Sequence, residues 1–384
     1  MRYINRAFFS LFIGVVFFAC KKTGSTAQTP TNPTTPTTPT TPTTPLAETR
    51  YPVNLLSDSI SLASIRQDAI ANADMAAAVA SIINSPSTAA LGKTAVPYVE
   101  VASDNFASVS AQAQDCKALA LRWLYLYEKN PTEAQPYFDK VVTNLIAWVN
   151  AGNVATTHIP NESSYLGFYE AYSVVRSRMT QTDRTKVDNW ISAKSTVFKN
   201  FAARVNNWET IRLNLLFYFG YILNSASLLD YTESAYTTLL NVNLMAGGKS
   251  EDLVSRDAFA YHAYNLAFYA RILKAKAFYE GTAVMNAYKN RKNIIGVSVQ
   301  DMMDYWKPFL IDPTNNVHLE FVNTNYAPDK TRADYNKPYV PSSTVYALEE
   351  LLLAFPEAKI YIQAINSSST RYNRNLTGFL FWPK

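Results

Sequence analysis

The chain has 384 residues and sets 35 Lys and Arg against 30 Asp and Glu, a formal charge of only +5 at neutral pH. Two Lys and two Arg of that balance lie in the first 22 residues, which excludes the broad basic face of a nucleic-acid-binding body. Two cysteines and three scattered histidines exclude a disulfide framework and offer no zinc-type spacing, so neither a metal nor a cofactor is expected.

Residues 1–20 read as an export signal. Arg2 and Arg6 flank an apolar run from Phe8 to Phe18 that is short for a bilayer span. The run stops at Ala19-Cys20, which resembles a bacterial lipoprotein signal with Cys20 as the lipid-bearing first residue of the mature chain. Residues 21–47 follow as a Thr/Pro-rich spacer with no large apolar residue before Leu46, a composition that stays extended and solvated. The expected organisation is therefore signal 1–20, spacer 21–47 and one globular domain 48–384. Such a body is expected to be monomeric and to touch the membrane of a bacterial cell envelope through its acyl anchor only.

The body reads as a succession of helices. Apolar residues recur at helical spacing over 61–84, 111–128 and 131–149. Asn130-Pro131 separates the last two, and Pro136 is expected to delay the start of the third. Cys116 falls in an apolar stretch and reads as a buried, inert thiol. Further helices are predicted over 163–179, 183–204, 209–223, 233–244, 256–280, 297–309, 342–354 and 357–365. Alternating strand patterns are scarce and no fixed repeat period appears, which argues against a tetratricopeptide-type array. The fold class expected is all-α, an incomplete (α/α) toroid of antiparallel helical hairpins.

Five polar segments interrupt this apolar pattern. They are His158 to Glu162, ahead of an aromatic helix with Tyr165; Asn206-Asn207-Trp208 leading to Arg212; the turn Gly247 to Asp252; His318-Leu319-Glu320-Phe321; and Asp329 to Arg332. The densest chemistry is Arg256 to Tyr264, which gathers Arg256, Tyr261, His262 and Tyr264 on what reads as the first turns of one helix. A guanidinium, an imidazole and two phenols together suit a reaction that neutralises a carboxylate and then moves a proton.

Three of these elements in this order, Asn207-Trp208, Tyr261-His262-Ala263-Tyr264-Asn265-Leu266 and His318-x-Glu320-Phe321 with Asp329-x-x-Arg332, resemble the alginate lyase family and its relatives on other polyuronates. The resemblance covers roughly residues 95–355. It implies β-elimination in an acidic polysaccharide such as alginate, mannuronan or glucuronan, with Asn207 as the amide that neutralises the carboxylate and Tyr261 as the acid/base. Arg256, or else Arg212, would be the cationic partner, and His262 would help ionise the phenol. Trp208 stands where the best-known members carry histidine, and His158 or His262 is the candidate replacement. Trp208, Arg212, Tyr264, His158, Tyr165, His318 and Arg332 complete the expected sugar-binding set. A phenol with a reference pKa near 10 needs nearby cations to bring it down toward neutrality before it serves as a base.

Each residue also has a structural reading. Tyr261 and Tyr264 could pack a core, Asn207 could cap a helix, and Arg212 could pair with Glu209. Two other functions fit the composition. One is a glycoside hydrolase using Glu162 with Asp257 or Glu320. The other is a non-catalytic glycan-binding lipoprotein.

Overall fold

The computed structural model describes residues 52–383. The signal, the spacer and lipidation at Cys20 lie outside the described residues.

The body is helical almost throughout. The expected helix over 61–84 is three short ones, α1 (Ser59–Ala71), α2 (Ala73–Val79) and α3 (Ser85–Leu91), with a π turn at Ala80–Asn84. Asn72 causes the first break. Its side chain accepts from the Met75 amide over 3.0 Å, so it caps α2 and leaves α1 extended. Next come α4 (Phe106–Leu126) and α5 (Pro131–Val149). Pro136 lies inside α5 and does not delay it. Close to the start it deletes a single backbone bond, and the Asn130 cap together with Pro131 already fixes the first turn.

A short α6 (Ile159–Glu162) leads to α7 (Leu166–Val175), and α8 (Gln181–Lys199), α9 (Asn207–Leu223) and α10 (Ala226–Asn243) follow. A small antiparallel hairpin, β1 (Leu244–Met245) and β2 (Lys249–Ser250), turns through Gly247 and Gly248, both at positive φ. A Cβ on Gly248 would stand 2.2 Å from the Asp301 carbonyl oxygen, so only glycine fits there. The chain continues as α11 (Glu251–Arg256), α12 (Phe259–Tyr279), α13 (Thr282–Asn290), α14 (Val299–Ile311), α15 (Val345–Leu351), α16 (Ala358–Ile365) and α17 (Leu376–Phe381). Sequence periodicity gave no sign of α13 or α17.

Five helices, α4, α7, α9, α12 and α15, form a row of successive neighbours. Side-chain pairs fix their direction. Gln114 meets the Ser164 carbonyl just ahead of α7, and three residues on Lys117 meets Glu170. Glu170 also meets Lys274 of α12, and Arg271 meets Glu350 of α15. Thr210 near the start of α9 donates to Asn265 near the start of α12 over 2.6 Å. The five run parallel, so their N-terminal ends gather at one end of the row. Behind them α5, α8, α10 and α13 form a second layer. Every residue of α9 from Glu209 to Ile222 is buried, as a helix apolar on all sides must be when it sits between layers. Cys116 of α4 is fully buried and accepts from the Asn144 amide; burial pushes its thiol up to about 12.

Candidate active site

The predicted single helix over 256–280 is interrupted, and the interruption builds the site. Arg256 ends α11, Asp257 takes a left-handed conformation at φ 52°, and α12 restarts at Phe259. A non-glycine residue in that region is held there by its surroundings. The Asp257 carbonyl accepts from the Phe321 amide over 2.7 Å and from His318 Nε2 over 3.1 Å, and its carboxylate accepts from the Asn323 amide over 2.6 Å. Phe321 is itself left-handed, at φ 66°. The segment from His318 to Asn325 is thereby stitched across the break.

The turn folds Arg256 back over Tyr261. Its Nη2 donates to the phenolic oxygen over 2.8 Å, and its guanidinium carbon lies 4.1 Å from the ring centroid. Asp329 grips the same guanidinium in a bidentate pair, with Nε to Oδ2 at 2.5 Å and Nη2 to Oδ1. Thr324 donates to Asp329 Oδ2 over 2.8 Å, and the Tyr326 ring lies 4.7 Å from the guanidinium. Arg332 is near enough to act on the same phenol, and lies over the Phe321 ring at 4.5 Å, paired with Asp334. The Phe321 ring meets Tyr261 edge to face at 6.1 Å.

This electrostatic setting corrects one expectation. Burial raises the Tyr261 pKa above its ordinary value; Arg256 and Arg332 pull it down, and Asp329 works against them. The enclosure that positions the phenol also strips water from it, and that loss exceeds the help of the two cations.

Asn207 opens α9, but Asn206 is its cap, accepting from the Trp208 amide over 3.3 Å. The buried Asn207 donates its backbone N–H to Asp252 Oδ2 over 2.9 Å, and among the described residues its side-chain amide has no hydrogen-bond partner. Burial and the adjacent Glu251 raise Asp252 to about 8. Asn207 lies one turn before Thr210, and Tyr261 one turn before Asn265, the pair that joins α9 to α12. Amide and phenol are thus brought to the same end of neighbouring helices. Beside them the half-buried ring of Trp208 meets His158 edge to face at 4.8 Å. His158 caps α6 through Nδ1, which accepts from the Asn161 amide, and burial lowers its pKa. Its Nε2 therefore carries the proton and, among the described residues, has no hydrogen-bond partner.

A family model described as alginate lyase matches residues 103–313, more than half of the chain. The chain belongs to the alginate lyase family. It is accordingly a polysaccharide lyase. Among solved structures it is similar to an alginate lyase from Bacteroides ovatus, with a TM-score of 0.62 at 11% identity over 86% of this chain and 99% of that one. No curated protein matches.

Four of the expected site residues of this lyase are committed to structural contacts. Arg212 is buried in a bidentate pair with Glu209, at 2.9 and 2.5 Å, and its remaining donors reach the Phe198 carbonyl and Tyr231. It holds α8, α9 and α10 together and cannot reach a sugar. His262 is fully buried: Nδ1 meets Ser250 and Nε2 the Met302 carbonyl, while burial lowers it to about 4. A carbonyl can only accept, so Nε2 holds the proton and the ring is neutral. His262 ties α12 to the hairpin and α14, and is not a catalytic group. Tyr165 packs in the core against Trp148 and Tyr98, its hydroxyl on the Val99 carbonyl. His318 secures the Asp257 turn and meets Phe259 edge to face at 5.0 Å.

Tyr264 is half-buried on the same stripe of α12 as Tyr261 and meets Phe268 edge to face. The carboxylates considered for hydrolysis are also committed. Glu162 is buried against Lys194 at 2.6 Å. Glu320 accepts from the Phe259 and Ala260 amides, supplying the start of α12 with the cap that Ala258 cannot provide. Asp329 and Tyr326 are the neighbours of Arg256 that sequence reasoning left without a role. Asp329 stood inside a polar segment, whereas Tyr326 carried no signal.

Proposed function

We propose that this lyase cleaves 1,4-linked uronic-acid polysaccharides, namely alginate, mannuronan or glucuronan, by β-elimination with Tyr261 as acid and base. The observation that carries the reading is the Arg256–Tyr261 contact, held by Asp329 at the end of the row where the Asn207 amide has no partner among the described residues. Asn207, Arg256 and Arg332 are the groups that neutralise the substrate carboxylate, and the C5 proton passes to the Tyr261 phenolate. The C5–H electron pair becomes the C4–C5 double bond, the C4–O bond breaks, and Tyr261 returns the proton to the leaving oxygen. One group serving both steps requires the C5 proton and the leaving oxygen on one face of the sugar. Mannuronate and glucuronate meet that condition, and guluronate, the C5 epimer of mannuronate, does not. His158 supplies the donor missing at Trp208. The row of helices closes as an incomplete (α/α) toroid, and Cys20 carries the acyl anchor to the bacterial envelope, for which incorporation of labelled palmitate, lost in Cys20→Ala, is the check.

Ultraviolet absorbance during incubation with a panel of polyuronates tests the chemistry, because only elimination leaves an unsaturated, absorbing end. Absorbance is expected to rise with mannuronan or glucuronan and to stay flat with polyguluronate. A flat trace on all three ends this reading.

A further inference from the structure

A second charged group lies further along the same row, outside the chemistry assigned above. Lys117 of α4, Lys274 and Arg271 of α12, Glu170 of α7 and Glu350 of α15 form one linked set. Glu170 accepts from Lys117 at 2.9 Å and from Lys274 at 3.1 Å, and Glu350 from Arg271 at 3.1 Å. Three cations thus face two carboxylates, and all three act on both, holding Glu350 at about 2 and Glu170 below its ordinary range.

A largely buried set with one positive charge in excess is costly unless an anion completes it. Two of its members are accessible: the side chains of Lys117 and Arg271 keep 17% and 23% exposure. Tyr346, at the start of α15, is 41% exposed and lies close enough to Tyr264 and Arg271 for both to act on its phenol. The set is joined to the active site along α12, where Tyr261, Tyr264, Phe268 and Arg271 succeed one another on a single stripe at helical spacing. Arg271 lies about 15 Å beyond Tyr261 at 1.5 Å per residue, more than one sugar away.

We infer that Lys117 and Arg271 form a distal carboxylate subsite that holds a uronate of the same chain, remote from the bond being cleaved. The inference rests on the polyuronate reading above. Glu170 and Glu350 are positioning residues that hold the two partly exposed cations in place. The excess charge gives this subsite a preference for ionised over esterified or neutral sugars.

The test compares the full-length wild-type chain with Lys117→Met on oligouronides of increasing length. Lys117→Met is expected to raise KM about tenfold for long oligomers, the equivalent of one lost charge-assisted hydrogen bond, with kcat unchanged. The shortest cleavable oligomer should show no change. Its Tm should hold or rise, because Glu170 keeps Lys274 while the excess charge is gone. A KM unchanged at every length, or a lowered Tm with unchanged KM, overturns the subsite and leaves the lyase reading intact. Should the wild type cleave no polyuronate, calorimetric binding of a long oligouronide to both proteins decides the matter separately. Weaker binding by Lys117→Met upholds the subsite, and equal or absent binding overturns it.

Discussion

Arg256 and Tyr261 are five positions apart and belong to different helices, yet the guanidinium lies 4.1 Å from the phenol ring and donates to its oxygen. The contact exists because the chain reverses its handedness at Asp257 between them. Removal of the phenolic oxygen alone isolates its chemical part. Tyr261→Phe keeps the ring, its edge contact with Phe321 and the cation above it. Lyase activity should fall between roughly a hundredfold and ten-thousandfold, as for loss of a general acid–base group, with Tm nearly unchanged. Because burial raises the Tyr261 pKa, wild-type kcat/KM should climb with pH on the alkaline side, and the residual activity of the variant should lack that limb.

Asp329 fixes Arg256 from 73 residues away. Asp329→Ala leaves a partly buried guanidinium and the Thr324 hydroxyl without their acceptor. A loss of roughly 1–3 kcal/mol is expected from the abandoned donors, read as a lower denaturation midpoint. Activity should drop as well, since the arginine is then free to leave the phenol. Retention of full activity would remove Arg256 from the catalytic arrangement.

Stability should depend on pH through Glu320. Its pKa is raised to about 7 by burial, against about 4.3 for a free glutamate. Between those values the folded state binds more protons than the unfolded one, so stability falls as pH rises through that window. Asp252, at about 8, and Glu349, at about 7, act in the same direction. Glu320→Gln keeps an acceptor for the Phe259 amide, gives up the longer bond from Ala260, and cannot titrate. Its Tm should fall less steeply between pH 5 and pH 8, in a window of roughly three pH steps set by these groups.

Gly167 sets how closely α4 and α7 approach. A Cβ there would lie 2.4 Å from the Ala113 carbonyl oxygen and 3.2 Å from Lys117 Cβ. Backbone cannot yield as a side-chain tip can, so Gly167→Ala should cost about 1–3 kcal/mol by overpacking, measured by chemical denaturation.

Helices announced by local chemistry were legible. Asn130 and Pro131 mark the start of α5 as observed, and the apolar run after Asn206 marks α9. The break at Asp257 was not, because the apolar period runs through it and aspartate is no signal for a left-handed turn. Its cause is the distant segment from His318 to Asn325. The same limit explains the misplaced residues. Sequence placed His262 and Arg212 near the chemistry by residue type and spacing, but which side of a helix meets solvent depends on neighbours that sequence alone does not reveal. Arg256 and Tyr261 stood out by residue type and took their expected roles from the family resemblance, and Asp329 became a clamp only once the loop was folded over them.

The left-handed turn at Asp257 also separates two things that a single helix would lock together. On one continuous helix, inserting or deleting a residue between arginine and tyrosine would swing one of them about 100° around the axis. Here the arginine is aimed by Asp329 and the tyrosine by α12, with a hinge between them. The interval between these two side chains is therefore free to drift among relatives while their contact persists. A search that demands a constant interval would pass over members that keep the same geometry.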